Sequence, residues 1–180
     1  MSFRKAQDFQ QSLGYQFQDT AWVAKILTHP SVGGMHFEKL EFLGDRVLGL
    51  VIAQLLWEKF PHEDEGRWSQ RLFDLVSKES LVRVAKNLKL EPFFLHAMDQ
   101  RSLPTLLSDG CEVCIGGIFL DGGWKAAQTW IVNQWTVLWS PNQAPPIDIK
   151  SHIQDIFQKN FHCLPVYVVE KRLGPDHQPT

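Results

Sequence analysis

The chain has 180 residues, of which 44% are hydrophobic and 12% aromatic, so it can bury a core and is not an intrinsically disordered segment. Its formal net charge of −2 excludes a generally basic composition, so any basic surface for nucleic acid must be local. No apolar run reaches the roughly 20 residues that cross a bilayer, and the opening residues MSFRKAQDFQQSLG lack the apolar core of a signal peptide. We therefore expect a cytoplasmic protein without a membrane association.

Helical periodicity runs through about the first 140 residues, and no convincing alternation indicates a strand there. Typical stop signals separate the periodic segments: Gly14, Pro30, Pro61 and the sequence DGG at 121–123, with Ser77 as a helix cap. The sequence predicts an all-α domain over residues 1–140, with helices over about 3–12, 22–27, 36–60, 67–76, 78–90, 103–120 and 124–139.

The remainder of the chain reads as a linker and the beginning of a second domain. SPNQAPPID is rich in proline and polar residues, which predicts a linker over 141–148. KSHIQDIFQKN then predicts a short helix, and LPVYVVEKRL, at 164–173, predicts a strand. One helix and one strand cannot close a core or satisfy a sheet edge, so 149–180 is expected to be an incomplete domain.

The three cysteines favour reduced thiols over a disulfide framework, because their number is odd and no signal peptide precedes them. Cys111 and Cys114 form a CxxC pair, but a structural zinc site needs four ligands and no second pair exists. We interpret both as small buried residues of a helix, and keep a metal or redox role as the weaker alternative.

Three carboxylates share one face of the long third helix. At about 100° per residue, with Glu38 at zero, Glu41 falls near 300° and Asp45 near 340°, and the aliphatic residues between them face the opposite side. Like charges at this spacing destabilise a helix. The stripe is therefore either a solvated face or a site for a cation.

A second acid pair, Asp109 and Glu112, repeats this pattern beside Gly116, and the 105–120 stretch contains no basic residue. If the two helices cross, four carboxylates converge, and Mg²⁺ or Mn²⁺ would relieve their repulsion. A di-iron bundle would need Glu-x-x-His pairs, which neither acid pair provides. The pattern alone leaves open a metal site or simply exposed acids.

These stretches resemble the ribonuclease III family. HFEKLEFLGDRVLGLVIAQLL is similar to its signature, close to N-E-R/K-L-E-F-L-G-D, and LTHPS at 27–31 resembles the segment before it. FPHEDEGRWSQRLFDLVSKESL and LSDGCEVCIGGIFLDGG resemble the following region and the second acidic helix. Order and spacing fit over about residues 5–140. The tail from Ile149 resembles the first helix and strand of the family's double-stranded-RNA-binding domain.

The resemblance implies an endonuclease domain that acts as a homodimer on double-stranded RNA, such as precursor rRNA and structured mRNA, with Mg²⁺ or Mn²⁺. It implies that Glu41, Asp45, Asp109 and Glu112 bind metal. Asp45 and Glu112 are expected to be the catalytic residues whose loss is most damaging, and Glu38 to be an accessory acid.

The resemblance also makes Phe42 the aromatic side chain that inserts into the partner subunit. An ordinary core phenylalanine remains the alternative. Two departures from the family pattern are a phenylalanine at position 37, where Asn or Tyr is common, and a short 96–104 loop without the usual Gly-Gly. The shortened loop puts RNA contacts at that point in doubt.

Candidate RNA contacts are basic or polar residues around the turn that follows the long third helix and in the tail: Arg67, Arg71, Lys78, Lys150 and Gln154. Taken alone, each fits an ordinary surface side chain better than an RNA contact. A catalytically silent scaffold that binds RNA or a partner is the alternative function, and a short ribonuclease with a narrow substrate is another. The presence of all four acids favours the enzyme.

Overall fold

The computed structural model describes residues 3–28, 35–94, 102–138 and 149–168. Among these residues the regular structure is entirely helical, which confirms the all-α prediction for the first domain. The predicted linker, 141–148, lies outside the described residues. The helices are α1 (Phe3–Leu13), α2 (Ala21–Ile26), α3 (Met35–Lys59), α4 (Glu65–Leu75), α5 (Lys78–Asn87), α6 (Glu91–Phe94), α7 (Leu103–Trp135) and α8 (Ile149–Phe161).

Side-chain caps begin two of the helices. The Ser77 side chain accepts a hydrogen bond from the Ser80 amide and so caps α5, as predicted. Asp64 caps α4 in the same way, accepting from the Arg67 amide at 2.9 Å. Short α6 was not predicted, because a single turn shows no periodicity. The predicted 103–120 and 124–139 helices are the two parts of α7, which are separated by a kink at Gly123, where the backbone is not helical and φ is +75°; the second part ends at Trp135.

Asp121 ties the loop between α1 and α2 to α7 just before this kink. Its carboxylate accepts hydrogen bonds from the Tyr15 hydroxyl at 2.9 Å and from the Gln18 and Asp19 amides at 2.9 and 3.1 Å. Burial, followed by the Asp121 hydrogen bond and charge, raises the pKa of Tyr15 to about 12. Tyr15 therefore stays protonated and keeps donating across the physiological pH range.

The two longest helices, α3 and α7, pack against each other at the centre of the helical domain. By length and composition α7 could cross a membrane, contrary to our expectation from the sequence, but most of its apolar stretch is buried inside the domain. It is therefore the core helix of this domain. Its buried side chains include Leu106, Leu107, Cys111, Val113, Cys114, Ile115, Ile118, Ile131 and Trp135.

Two glycines bring the backbones of α3 and α7 into direct contact. A Cβ atom at Gly44 would overlap the carbonyl oxygen of Glu112, and one at Gly116 would overlap the carbonyl oxygen of Leu40. Glycine is needed at both positions because only hydrogen fits between the helices. This crossing places the acid stripe of α3 beside the acid pair of α7.

We expect Gly44→Ala to destabilise the domain by about 3 kcal/mol, because the new methyl group must displace a main-chain oxygen. Gly49→Ala is a matched control on the same helix, since a Cβ there meets nothing within 4 Å. It should be neutral or stabilise by up to about 1 kcal/mol through helix propensity. Urea unfolding measures both variants. Equal stability of the two would contradict the close crossing.

The chain divides into two compact units, Met1–Pro145 and Pro146–Thr180. In the second, α8 confirms the predicted helix. The strand prediction is wrong for residues 164–168, which form no strand, and 169–173 lie outside the described residues. A strand needs a hydrogen-bonded neighbour, and the described part of this unit supplies none. Val166 and Val168 are accordingly exposed.

Candidate metal centre

Three of the predicted acids converge where α3 crosses α7. Glu41 on α3 and Asp109 and Glu112 on α7 each offer a carboxylate oxygen, and these oxygens lie within 4.8 Å of one another. All three residues are half-buried. Asp109 and Glu112 share a face because they are three residues apart on one helix. The glycine contact described above sets the distance between the two helices. We call this group the carboxylate cluster.

Glu112 has a raised pKa within the carboxylate cluster. Burial, followed by the charges of Asp45, Glu41 and Asp109, raises its pKa to about 8, while the charge of Arg46 acts in the opposite direction. The neighbouring acids therefore disfavour the ionised form of Glu112 unless a cation is present. Closely spaced carboxylate oxygens are hard donors, which suit a hard divalent cation better than zinc. The cluster fits a metal centre.

In metal-free protein, Glu112→Gln should stabilise the fold. The wild-type carboxyl group has a pKa near 8 when folded and near 4.5 when unfolded, so the folded state holds the extra proton between these values. Stability should thus fall as pH rises from about 4.5 to 8. The advantage of Glu112→Gln should grow over that range to about 1–2 kcal/mol, allowing for partial solvent screening. Melting curves in EDTA at several pH values measure it, and a pH-independent difference would contradict it.

Asp45 and Glu38 lie outside the carboxylate cluster. Asp45 is one helical turn beyond Glu41, its side chain is 39% exposed, and its Oδ2 lies 3.1 Å from Nη2 of Arg46. Its charge still raises the pKa of Glu112, so it lies within electrostatic range. Glu38 is exposed in the first turn of α3. The structure thus gathers three of the four predicted metal ligands and leaves the fourth beside them.

Lys78 lies near the Asp109 side of the carboxylate cluster. Its Nζ donates a hydrogen bond to the Thr105 hydroxyl, one helical turn before Asp109. The Ser108 hydroxyl lies 3.2 Å from Asp109 Oδ1 and donates to the Thr105 carbonyl oxygen at 2.9 Å. A cationic side chain is therefore held on α5 close to the acids of α7.

The other predicted RNA contacts differ in their surroundings. Arg67 is exposed in α4, whereas Arg71 forms an ion pair with Glu63 at 2.7 Å and lies over the Phe60 ring at 3.9 Å. The same interaction with Arg71 lowers the pKa of Glu63. Arg71 therefore has a structural role in this chain. In the second unit, Gln154 is half-buried, and the side chain of Lys150 lies outside the described residues.

Phe42 is not a core residue, because 66% of its surface is exposed in α3. That exposure rules out the core alternative and leaves the side chain available to a partner. Cys111 and Cys114, by contrast, are fully buried, as the sequence indicated. Burial raises the pKa of both thiols, so they are poor metal ligands or nucleophiles.

Comparison with known proteins identifies the fold and the family. The family model described as ribonuclease-III-like matches residues 19–137. A Ribonuclease 3 of Sinorhizobium medicae is 36% identical over 176 residues, covering 93% of this chain and 74% of that protein. A nuclease domain of ribonuclease III from Campylobacter jejuni has a TM-score of 0.65 at 33% identity, covering 79% of this chain and 97% of that one. A second structure of that domain has a TM-score of 0.63 at 34% identity, covers 71% and 93%, and shows flexibility in a region involved in dimer formation.

Arg46 is a residue of this centre that the sequence analysis missed. Neighbouring residues on a helix point about 100° apart and normally do not pair, so its contact with Asp45 left no signal. The sequence did contain a signal for the contact between Arg46 and Phe42, because side chains four residues apart lie on the same face of a helix.

Proposed function

This chain belongs to the ribonuclease III family, and we propose that it is an endoribonuclease that hydrolyses phosphodiester bonds of double-stranded RNA, cutting both strands as a homodimer. The observation that carries the proposal is the carboxylate cluster, built from two helices that touch through Gly44 and Gly116. Three carboxylates this close together repel one another and destabilise the fold, and a role in metal-assisted hydrolysis explains why they are grouped.

We assign the cofactor as Mg²⁺, with Mn²⁺ as a substitute. Glu41, Asp109 and Glu112 would hold it, joined by Asp45, since Mg²⁺ prefers oxygen ligands and keeps several waters. When bound, such an ion supplies charge stabilisation for the phosphate and an activated water. Oxygens of Asp45 and Glu112 that are not needed as ligands can accept hydrogen bonds from that water and orient it. Glu38, exposed one turn before Glu41, remains an accessory acid in this proposal.

The homodimer places two such sites on one duplex. Phe42 lies next to Glu41 in α3 and is exposed, so a partner subunit can bury it while the acids stay near the interface. Each site would cut one strand, and a two-fold axis matches the pseudo-symmetry of a duplex. The wide, shallow minor groove of A-form RNA suits recognition by shape. Precursor rRNA and structured mRNA in the cytoplasm fit this recognition.

We also propose which individual side chains contact the RNA. Arg67, Arg71 and Lys78 are the candidates in the first unit; Arg71 is already paired with Glu63, and Lys78 donates to Thr105, one turn before Asp109. Lys150 and Gln154 are the candidates in the second unit, which we propose is part of a double-stranded-RNA-binding domain. Phosphate contacts by such residues would make binding depend on salt. The alternative, a catalytically silent scaffold, is less well supported because all four acids are present and three of them converge.

Metal exchange tests the catalytic part of this proposal. We expect cleavage of duplex RNA with Mg²⁺ or Mn²⁺ and none in EDTA, because the carboxylate cluster needs a cation to position the water. Ca²⁺ should allow binding with little cleavage, since its longer and more variable ligand distances fit an octahedral site poorly. Gel analysis of the products measures this. Full activity in EDTA would contradict the proposal.

A further inference from the structure

Arg46 contacts two residues that the proposed function uses. Its Nη2 lies 3.1 Å from Oδ2 of Asp45, and its guanidinium carbon lies 5.5 Å from the centre of the Phe42 ring. Its side chain is 69% exposed. Arg46 thus connects the fourth acid to the aromatic residue proposed for the dimer interface.

Two contacts define the side-chain conformation of Arg46. Its side chain turns back along α3 to reach Asp45, although adjacent residues on a helix diverge by about 100°. Phe42, one turn earlier, lies on the same side of the helix and offers its ring to the guanidinium. The two contacts together favour the conformation in which Arg46 holds the Asp45 carboxylate.

Asp45, which pairs with Arg46, is also the one predicted metal ligand that lies apart from the other three acids. The group of oxygens within 4.8 Å of one another contains Glu41, Asp109 and Glu112, but not Asp45. Asp45 nevertheless lies four residues after Glu41 in α3, so the two side chains project from the same face of the helix one turn apart. Asp45 is therefore near enough to the carboxylate cluster for its position to affect a bound cation.

We propose that Arg46 is a positioning residue that holds Asp45 outside the carboxylate cluster of the metal-free chain, so that a divalent cation must displace Arg46 to gain Asp45 as a ligand. The inference rests on the proposed function of the cluster as a metal site. Arg46 then lowers metal affinity twice, by occupying Asp45 and by placing a positive charge beside the site. The exposed ion pair is weak, so a cation can displace it.

Titration of the full chain with Mn²⁺, followed by calorimetry, tests the inference. Arg46→Met keeps a flexible apolar stem and removes the charge, and it should bind Mn²⁺ about three- to fivefold more tightly than wild type. Arg46→Lys keeps the charge but loses the guanidinium group over the Phe42 ring, so its affinity should lie between those of the other two proteins. Arg4→Met is the matched control, because it removes the same charge from an exposed position on α1 and should leave the affinity unchanged.

A double-mutant cycle separates the ion pair from a general charge effect. In an Asp45→Asn background, Arg46→Met should change Mn²⁺ affinity less than twofold, because the ion pair is gone and only the weak, solvent-screened effect of the Arg46 charge remains. A full three- to fivefold gain in that background would overturn the proposal, and so would unchanged or weaker binding by Arg46→Met alone.

The same titration distinguishes failure of this inference from failure of the proposed function. Wild type should bind Mn²⁺, and Glu112→Gln should lose most of that binding. If both hold but Arg46→Met binds no more tightly, only the role of Arg46 is wrong. If wild type binds no Mn²⁺, the metal site itself is contradicted and the role of Arg46 falls with it.

Discussion

Glu112→Gln should lower turnover on duplex RNA by roughly a hundredfold or more while leaving duplex binding in Ca²⁺ nearly unchanged. The substitution keeps the shape of the side chain but removes the charge at the centre of the carboxylate cluster, where Glu112 lies within 4.8 Å of its two partners. Asp45→Asn should have a comparable effect, because its charge also acts on this site. Single-turnover cleavage and filter binding measure the two quantities separately.

Glu58→Gln is the matched control for these variants, since it makes the same change at an exposed position of α3. It should cleave at the wild-type rate. Parallel losses of binding and cleavage in Glu112→Gln would show that the acids support the fold or the dimer instead of the reaction. Such a result would favour the silent scaffold over the enzyme.

Phe42→Ala should weaken dimerisation at least about thirtyfold, because a buried aromatic anchor at an interface contributes about 2 kcal/mol or more. The side chain is 66% exposed in the single chain, so its removal should leave the stability of the monomer nearly unchanged. Sedimentation over a range of protein concentrations measures the dimer, and urea unfolding at low concentration measures the monomer.

Phe73→Ala provides the control for the loss of an exposed aromatic ring. Phe73 is 80% exposed in α4, and no part of the proposed interface includes it. Its replacement should leave dimerisation at the wild-type level. If Phe42→Ala is as dimeric as Phe73→Ala, Phe42 is not an interface anchor and another surface must hold the two subunits together.

The sequence predicted those features that depend on local chemistry or helical period. The C-terminal end of α3 followed from Pro61 and the start of α5 from the Ser77 cap. The helical count also allowed Glu41 on α3 to meet Asp109 and Glu112 on α7, and these three acids converge. The burial of Cys111 and Cys114 followed from the same helical count, which placed them opposite the acids.

Features that depend on contacts between distant segments could not be predicted in this way. Nothing local indicates that Asp121 binds the loop before α2, because its partners lie more than 100 residues earlier in the chain. The strand at 164–168 had suitable residues but no neighbour among those described, and pairing defines a strand more than composition does. The separation of Asp45 from the other acids likewise depends on the side-chain conformation of Arg46.

The most direct test of the central claim is cleavage of a long, fully paired RNA duplex in which the two strands carry different end labels. With Mg²⁺, we expect both strands to be cut, at positions offset between them, and single-stranded RNA of the same sequence to stay intact. EDTA should abolish both cuts. An intact duplex in Mg²⁺, or cleavage of single-stranded RNA alone, would contradict the claim that this chain is a double-stranded-RNA endonuclease.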